Sequence, residues 1–113
     1  MGREVIIPKN IVSSKAPYSP AIKLGNLVFT AGQVSQDFGT GKPVEGDIAI
    51  QTRQTLENIK TVLAAAGTSL DNVIKVTVFL TNMADYDKMN EIYRTYFATN
   101  PPARSTVQVA KLV

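Results

Sequence analysis

A chain of 113 residues is one domain's worth, long enough to bury about two-thirds of its unfolded surface in a single core. It has no Cys and no His, which excludes disulfides, thiolate nucleophiles, Cys zinc sites and imidazole bases, and leaves Tyr, Ser, Thr, Arg, Lys and carboxylates for any chemistry. Twelve Lys and Arg against nine Asp and Glu give +3, but the basic residues are scattered singly from Arg3 to Lys111, so the charge does not mark a nucleic-acid stripe.

In chain order, EVIIP reads as a short strand and NIVSSKAPYSP as a turn-rich loop. AIKL and LVFTAGQV are strand-like runs separated by Gly25 and Asn26, residue types that accept the positive φ of a tight hairpin turn. SQDFGTGKPVEG, with its glycines and proline, reads as a flexible connection. From Asp47 the period changes, and Ile48, Thr52, Leu56, Ile59 and Leu63 form one helical stripe that Gly67 ends.

DNVIKVTVFLTN returns to alternation, with Ile74, Val76, Val78 and Leu80 on one face and Lys75, Thr77 and Phe79 on the other. Asn82 to Asp85 has the form of a helix N-cap with an acid at N3. The helix that follows carries Met89, Ile92 and Tyr96 in spacing, with Tyr93 and Phe97 beside them. Pro101 and Pro102 stop it, and RSTVQVA is the last strand. No apolar run exceeds about five residues, too short for a signal peptide or a bilayer span, so a soluble cytoplasmic protein is expected.

This order predicts one α+β domain over residues 1–113, with two helices on one face of a mixed sheet. In the last strand, Ser105, Val107 and Val109 point one way and Arg104, Thr106 and Gln108 the other, and the valine side is expected against the helices. The hairpin strand is apolar on both faces, whereas two helices cover only one. Further copies of the chain in closed symmetry are the expected cover for the second. Periodicity leaves two readings for Arg104: a solvated strand end, or a guanidinium at a subunit seam that needs an acidic partner or an anionic ligand.

The blocks APYSPAIKLGNLVFTAGQV, QTRQTLENIKTVLAAAG, VIKVTVFLTNMADYDKMNEIYRTYF and PPARSTVQVAKL together resemble the Rid family (RidA/YjgF, reactive-intermediate deaminases), in the same order and spacing over nearly the whole chain. The resemblance implies a chorismate-mutase-like fold and a homotrimer whose sheets form a central barrel. It also implies ligand sites in the clefts between subunits, and cofactor-independent, metal-free hydrolysis of imines and enamines made from amino acids. By the same resemblance Arg104 grips the substrate carboxylate and Tyr18 lines the pocket, both in catalytic roles, while Gly32, Asn90 and Thr106 belong to the same cleft, Thr106 through its backbone. Ala31 stands where well-studied deaminases tend to carry Ser. The family's final strand, with its Val/Ile-Glu-Ile pattern, has no counterpart up to Val113, and the expectation is that the natural chain continues through one more strand carrying that glutamate.

The leading functional expectation is hydrolysis of intermediates of the 2-aminoacrylate or 2-iminobutanoate type to 2-keto acids and ammonia. The alternative is a non-catalytic trimer that binds small carboxylates as a regulator. Asp85, Asp87 and Glu91 read as charge favouring a helix N-terminus rather than as metal ligands, because two-residue spacing points side chains apart on a helix. Tyr86, Tyr93, Tyr96 and Phe97 read as core rather than as a base-stacking platform.

Overall fold

The alternating and helical apolar patterns resolve into an α+β fold in a computed structural model, which describes residues 2–113. Strands β1 (Glu4–Ile6), β2 (Ala21–Leu24) and β3 (Leu27–Thr30) form an antiparallel sheet in that order. Its register sets Val5 beside Ile22 and Phe29, and Ile6 beside Ala21 and Thr30. Gly25 supplies the positive φ, 57°, that the two-residue turn requires at its first position, while Asn26 stays out of the left-handed region.

Helix α1 (Ile48–Ala65) starts where the side chain of Asp47 accepts from the backbone N–H of Ile50, and ends where Gly67 adopts φ 83° just past the last turn. Strand β4 (Lys75–Leu80), a 3-10 turn (Met83–Asp85), helix α2 (Tyr86–Tyr96) and strand β5 (Ala103–Gln108) then form a crossover that brings β4 and β5 together in parallel. Asn82 caps the 3-10 turn by accepting from Ala84 N, one step before the helix whose N-cap its position in the sequence predicts.

The strands do not form the single mixed sheet expected from the element order. They make two, β1–β2–β3 and β4–β5, and no ladder joins them among the described residues. Hairpins fix the first sheet and the α2 crossover fixes the second, and neither device dictates a register between them. Helix α1 bridges the two. Leu56 joins Leu80, Met89, Tyr93 and Phe97 in one core cluster, and Val62 and Ala66 join Ile6 and Ala21 in another.

The faces of the last strand are the reverse of the expectation. The parallel register pairs Val76 with Arg104, Val78 with Thr106 and Leu80 with Gln108, so Arg104 and Thr106 share the helix-packed face and Val107 looks outward. Gln108 confirms the side, since its Oε1 accepts from Met83 N at 2.7 Å. Composition misleads here because the partner strand, not the valines, decides which face is inner. Ile74 likewise falls just before β4 and is exposed.

The 35–46 segment, expected to be a flexible connection, is cross-tied. Ser35 Oγ donates to Val44 O at 2.6 Å, Gln36 bridges to Pro43, and Asn58 Nδ2 reaches out of α1 to Val34 O and Gln36 O. Asn58 is 3% exposed, which makes it a buried polar residue satisfied by this one segment and by Gln54. Replacing it with Ala strands those carbonyls. Asn58→Ala is expected to cost about 2 kcal/mol in urea unfolding, and unchanged stability would show that the segment is not held by this residue.

Candidate functional site

The β4–α2–β5 crossover builds one side of the site. Asn100 turns the chain with φ 47°, Pro101 and Pro102 end helical geometry, and Ala103 N donates to Ile74 O as β5 begins. That start places Arg104 opposite Val76, under the N-terminal half of α2. Its guanidinium Cζ lies 4.7 Å from the Tyr93 ring centroid and 5.6 Å from that of Tyr86, and Nη2 donates to the Tyr86 hydroxyl at 3.0 Å. Arg104 is half-buried and, among the described residues, forms no salt bridge. Of the two readings the sequence leaves open, this partly buried setting between two tyrosines favours a guanidinium that takes a ligand.

The surroundings are polar and incompletely satisfied. Asn90 Oδ1, Tyr93 Oη and Thr106 Oγ1 are all buried without a hydrogen-bond partner. Burial pushes the Tyr93 phenol up, partly opposed by the charge of Arg104. The side-chain amide of Asn90 and then Arg104 hold the Tyr86 phenol below the ordinary tyrosine range. The cluster thus offers a cation with spare N–H bonds next to buried polar atoms, which suits a small anionic ligand bearing a second polar group.

Of the candidate residues, the structure brings Arg104, Asn90 and Thr106 to this one region. It does not bring Tyr18, Ala31 or Gly32 there. Tyr18 lines a separate cavity of about 180 Å³ with Ile11, Ser14 and Phe38, and none of Arg104, Asn90 or Thr106 borders it. Ala31 N donates to Pro20 O at 2.9 Å, tying the end of the hairpin to the Tyr18 loop. Gly32 lies beyond β3 rather than within a strand, and a Cβ there would meet nothing within 4 Å.

Tyr86 is the site residue that sequence reasoning misses. It reads as core, yet it is 36% exposed, while Tyr93 and Phe97 are buried as expected. A signal was present: Tyr86, Asn90 and Tyr93 stand at i, i+4 and i+7, so a ligand role for Asn90 places both tyrosines on its helix face.

Comparison with known proteins bears on what this arrangement serves. The family model described as Endoribonuclease L-PSP matches residues 8–113. A RutC family protein of Pyrococcus horikoshii is 54% identical over 110 residues, covering 97% of this chain and 87% of that protein. The Rattus norvegicus protein named 2-iminobutanoate/2-iminopropanoate deaminase is 42% identical over 112 residues, covering 95% of this chain and 82% of that one. The crystal structure of YyfA, a Rid-family protein of unknown function from Yersinia pestis, superposes with a TM-score of 0.92 at 45% identity, over 98% of this chain and 89% of that one. With the family model matched along the chain and this likeness in both sequence and fold, the chain belongs to the Rid (RidA/YjgF) family.

Proposed function

We propose that this protein hydrolyses reactive imines and enamines of the 2-iminobutanoate or 2-aminoacrylate type, giving 2-keto acids and ammonia. The observation that carries the reading is Arg104, a half-buried guanidinium that has no carboxylate partner among the described residues and is held between two tyrosines. A planar fork of N–H donors fits a carboxylate in two-point contact, which both anchors and orients the ligand. The deaminase name of the rat relative supplies the substrate class.

The chemistry asks little beyond position. A proton on nitrogen makes the C=N carbon electrophilic, water adds to give a carbinolamine, and collapse of that adduct expels ammonia and leaves the carbonyl. Holding the carboxylate fixed while water approaches the neighbouring carbon is a large part of the catalysis such a reaction needs. Asn90 and Thr106 contribute polar atoms beside the anchor.

The second half of the site comes, on this reading, from another copy of the chain. On the face of β1–β3 turned away from α1 lie Val5, Ile22, Leu24, Leu27 and Phe29, and Phe79 and Val107 occupy the corresponding face of β4–β5. Phe29 is 61% exposed and Phe79 52%. An apolar sheet face of this extent is the kind that association covers. Closure into a homotrimer sets the Tyr18, Ala31 and Gly32 region of one copy against Arg104 of the next.

The carboxylate-binding alternative uses the same Arg104 anchor and differs from the enzyme reading in whether bound imine is hydrolysed. Turnover separates the two readings.

With freshly generated 2-iminobutanoate, the wild-type protein is expected to release keto acid well above the uncatalysed rate. Arg104→Ala should lower that acceleration by about 100-fold, and Arg104→Lys should not restore it because a point charge cannot make the two-pronged contact. Wild-type turnover in either variant removes the anchor. Sedimentation equilibrium at micromolar concentration should return a trimer, and Phe29→Asp should shift it toward monomer. A monomeric wild type would rule out the intersubunit site.

A further inference from the structure

The tie between Tyr86 and Arg104 carries an inference that rests on the carboxylate-anchor reading and deepens it. A guanidinium has five N–H bonds in one plane, and its usefulness as an anchor depends on where that plane faces. Here the plane is constrained from two sides. The Tyr93 ring, 4.7 Å from Cζ, supports one face of the cation, and the Tyr86 hydroxyl takes one N–H of Nη2 at 3.0 Å. Nothing charged among the described residues competes, since no carboxylate lies within ion-pair distance of Arg104. The Tyr86 phenol oxygen is an uncharged acceptor that an Arg104 N–H reaches within hydrogen-bond distance.

We propose that Tyr86 is the positioning residue of the carboxylate anchor, its hydroxyl accepting from Nη2 so that the Arg104 fork stays aimed with its remaining N–H bonds open to the ligand. Tyr86 does not touch the reacting atoms. It acts through Arg104. Its location suits that role, because Tyr86 is the first residue of α2, directly after the 3-10 turn that Gln108 ties to β5, and its backbone is thereby fixed relative to the strand that carries the arginine. A phenylalanine here would pack the same ring and leave the fork without its acceptor.

A neutral acceptor can aim the guanidinium without competing for it, whereas a tyrosinate would bind the cation itself and exclude the ligand. Carboxylate affinity is therefore tied to the protonated state of Tyr86. The groups that bear on this phenol are Asn90 and Asp87 from α2 and Arg104 from β5, whose guanidinium also lies over the Tyr93 ring. Asn90 and then Arg104 lower its pKa, and burial and then the charge of Asp87 oppose them. Tyr93 is shifted the other way by burial and titrates later. An alkaline loss of affinity should begin below the ordinary tyrosine range, with Tyr86 as its source.

The test is calorimetric titration of the full chain with 2-oxobutanoate from neutral pH upward. Tyr86→Phe is expected to weaken binding about tenfold at neutral pH, to leave the thermal melting temperature unchanged, and to abolish the alkaline loss of affinity. Incorporation of 3-fluorotyrosine at position 86, which acidifies the phenol, should move that loss to lower pH. If Tyr86→Phe binds 2-oxobutanoate as tightly as wild type and keeps the alkaline limb, the positioning role is overturned while the anchor stands. If the wild-type protein binds no 2-oxobutanoate at any pH, the anchor reading and this inference fall together.

Discussion

The packing of α1 across two sheets that share no hydrogen bonds is the constraint on which the molecule rests. Leu56 commits one stretch of the helix to the β4–β5 side, and Val62 and Ala66 commit another to the β1–β3 side. Each large apolar side chain contributes about 1.5–3 kcal/mol when buried, and here the same contacts also set the angle between the sheets. Asn58 adds a polar fastening between those stretches, pinning the 35–46 segment over the helix. A rotation of α1 by a fraction of a turn would unseat both clusters at once, because residues serving different partners lie within two turns of one another.

Arg104 is placed by this frame in a setting that most proteins give to an ion pair. Taking a guanidinium half out of water is costly unless something returns the lost solvation. The structure returns part of it through the face of Tyr93 and the hydroxyl of Tyr86, neither of which cancels the charge. The positive potential therefore survives for an anion. An Asp in place of Tyr86 would satisfy the arginine better and leave the site with less to offer. The orphaned oxygens of Asn90 and Thr106 belong to the same pattern, in which local stability is held below what the fold could reach.

Much of the architecture is legible in the sequence because it depends on local chemistry. The hairpin follows from Gly25, and α1 from Asp47, its apolar stripe and Gly67. What escapes depends on partners far away in the chain. The inner face of β5 is chosen by its register with β4, so Val107, the more apolar residue, faces out and Arg104 in. The break between the sheets is hidden because strand patterning says which residues share a face and nothing about which strands meet. The 35–46 segment looks loose because its restraints come from Ser35 and Asn58, whose hydrogen bonds leave no periodic mark. The site is half legible. Arg104 and Asn90 come from motif resemblance, whereas Tyr86 is given to the core by the very spacing that puts it beside them.

The crossover that carries Arg104 is also continuous in the chain, with strand, helix and strand following one another without interruption from Lys75 to Gln108. In the first sheet only β2 and β3 are joined by a hairpin of two residues, while β1 reaches β2 across a long loop. The β4–β5 ladder instead closes over the whole of α2, a non-local parallel contact whose loop-closure entropy must be met before the pairing returns anything. Arg104 is joined to Tyr86 and Tyr93 only where β5 lies against β4 beneath α2, so the cluster and the crossover are completed together.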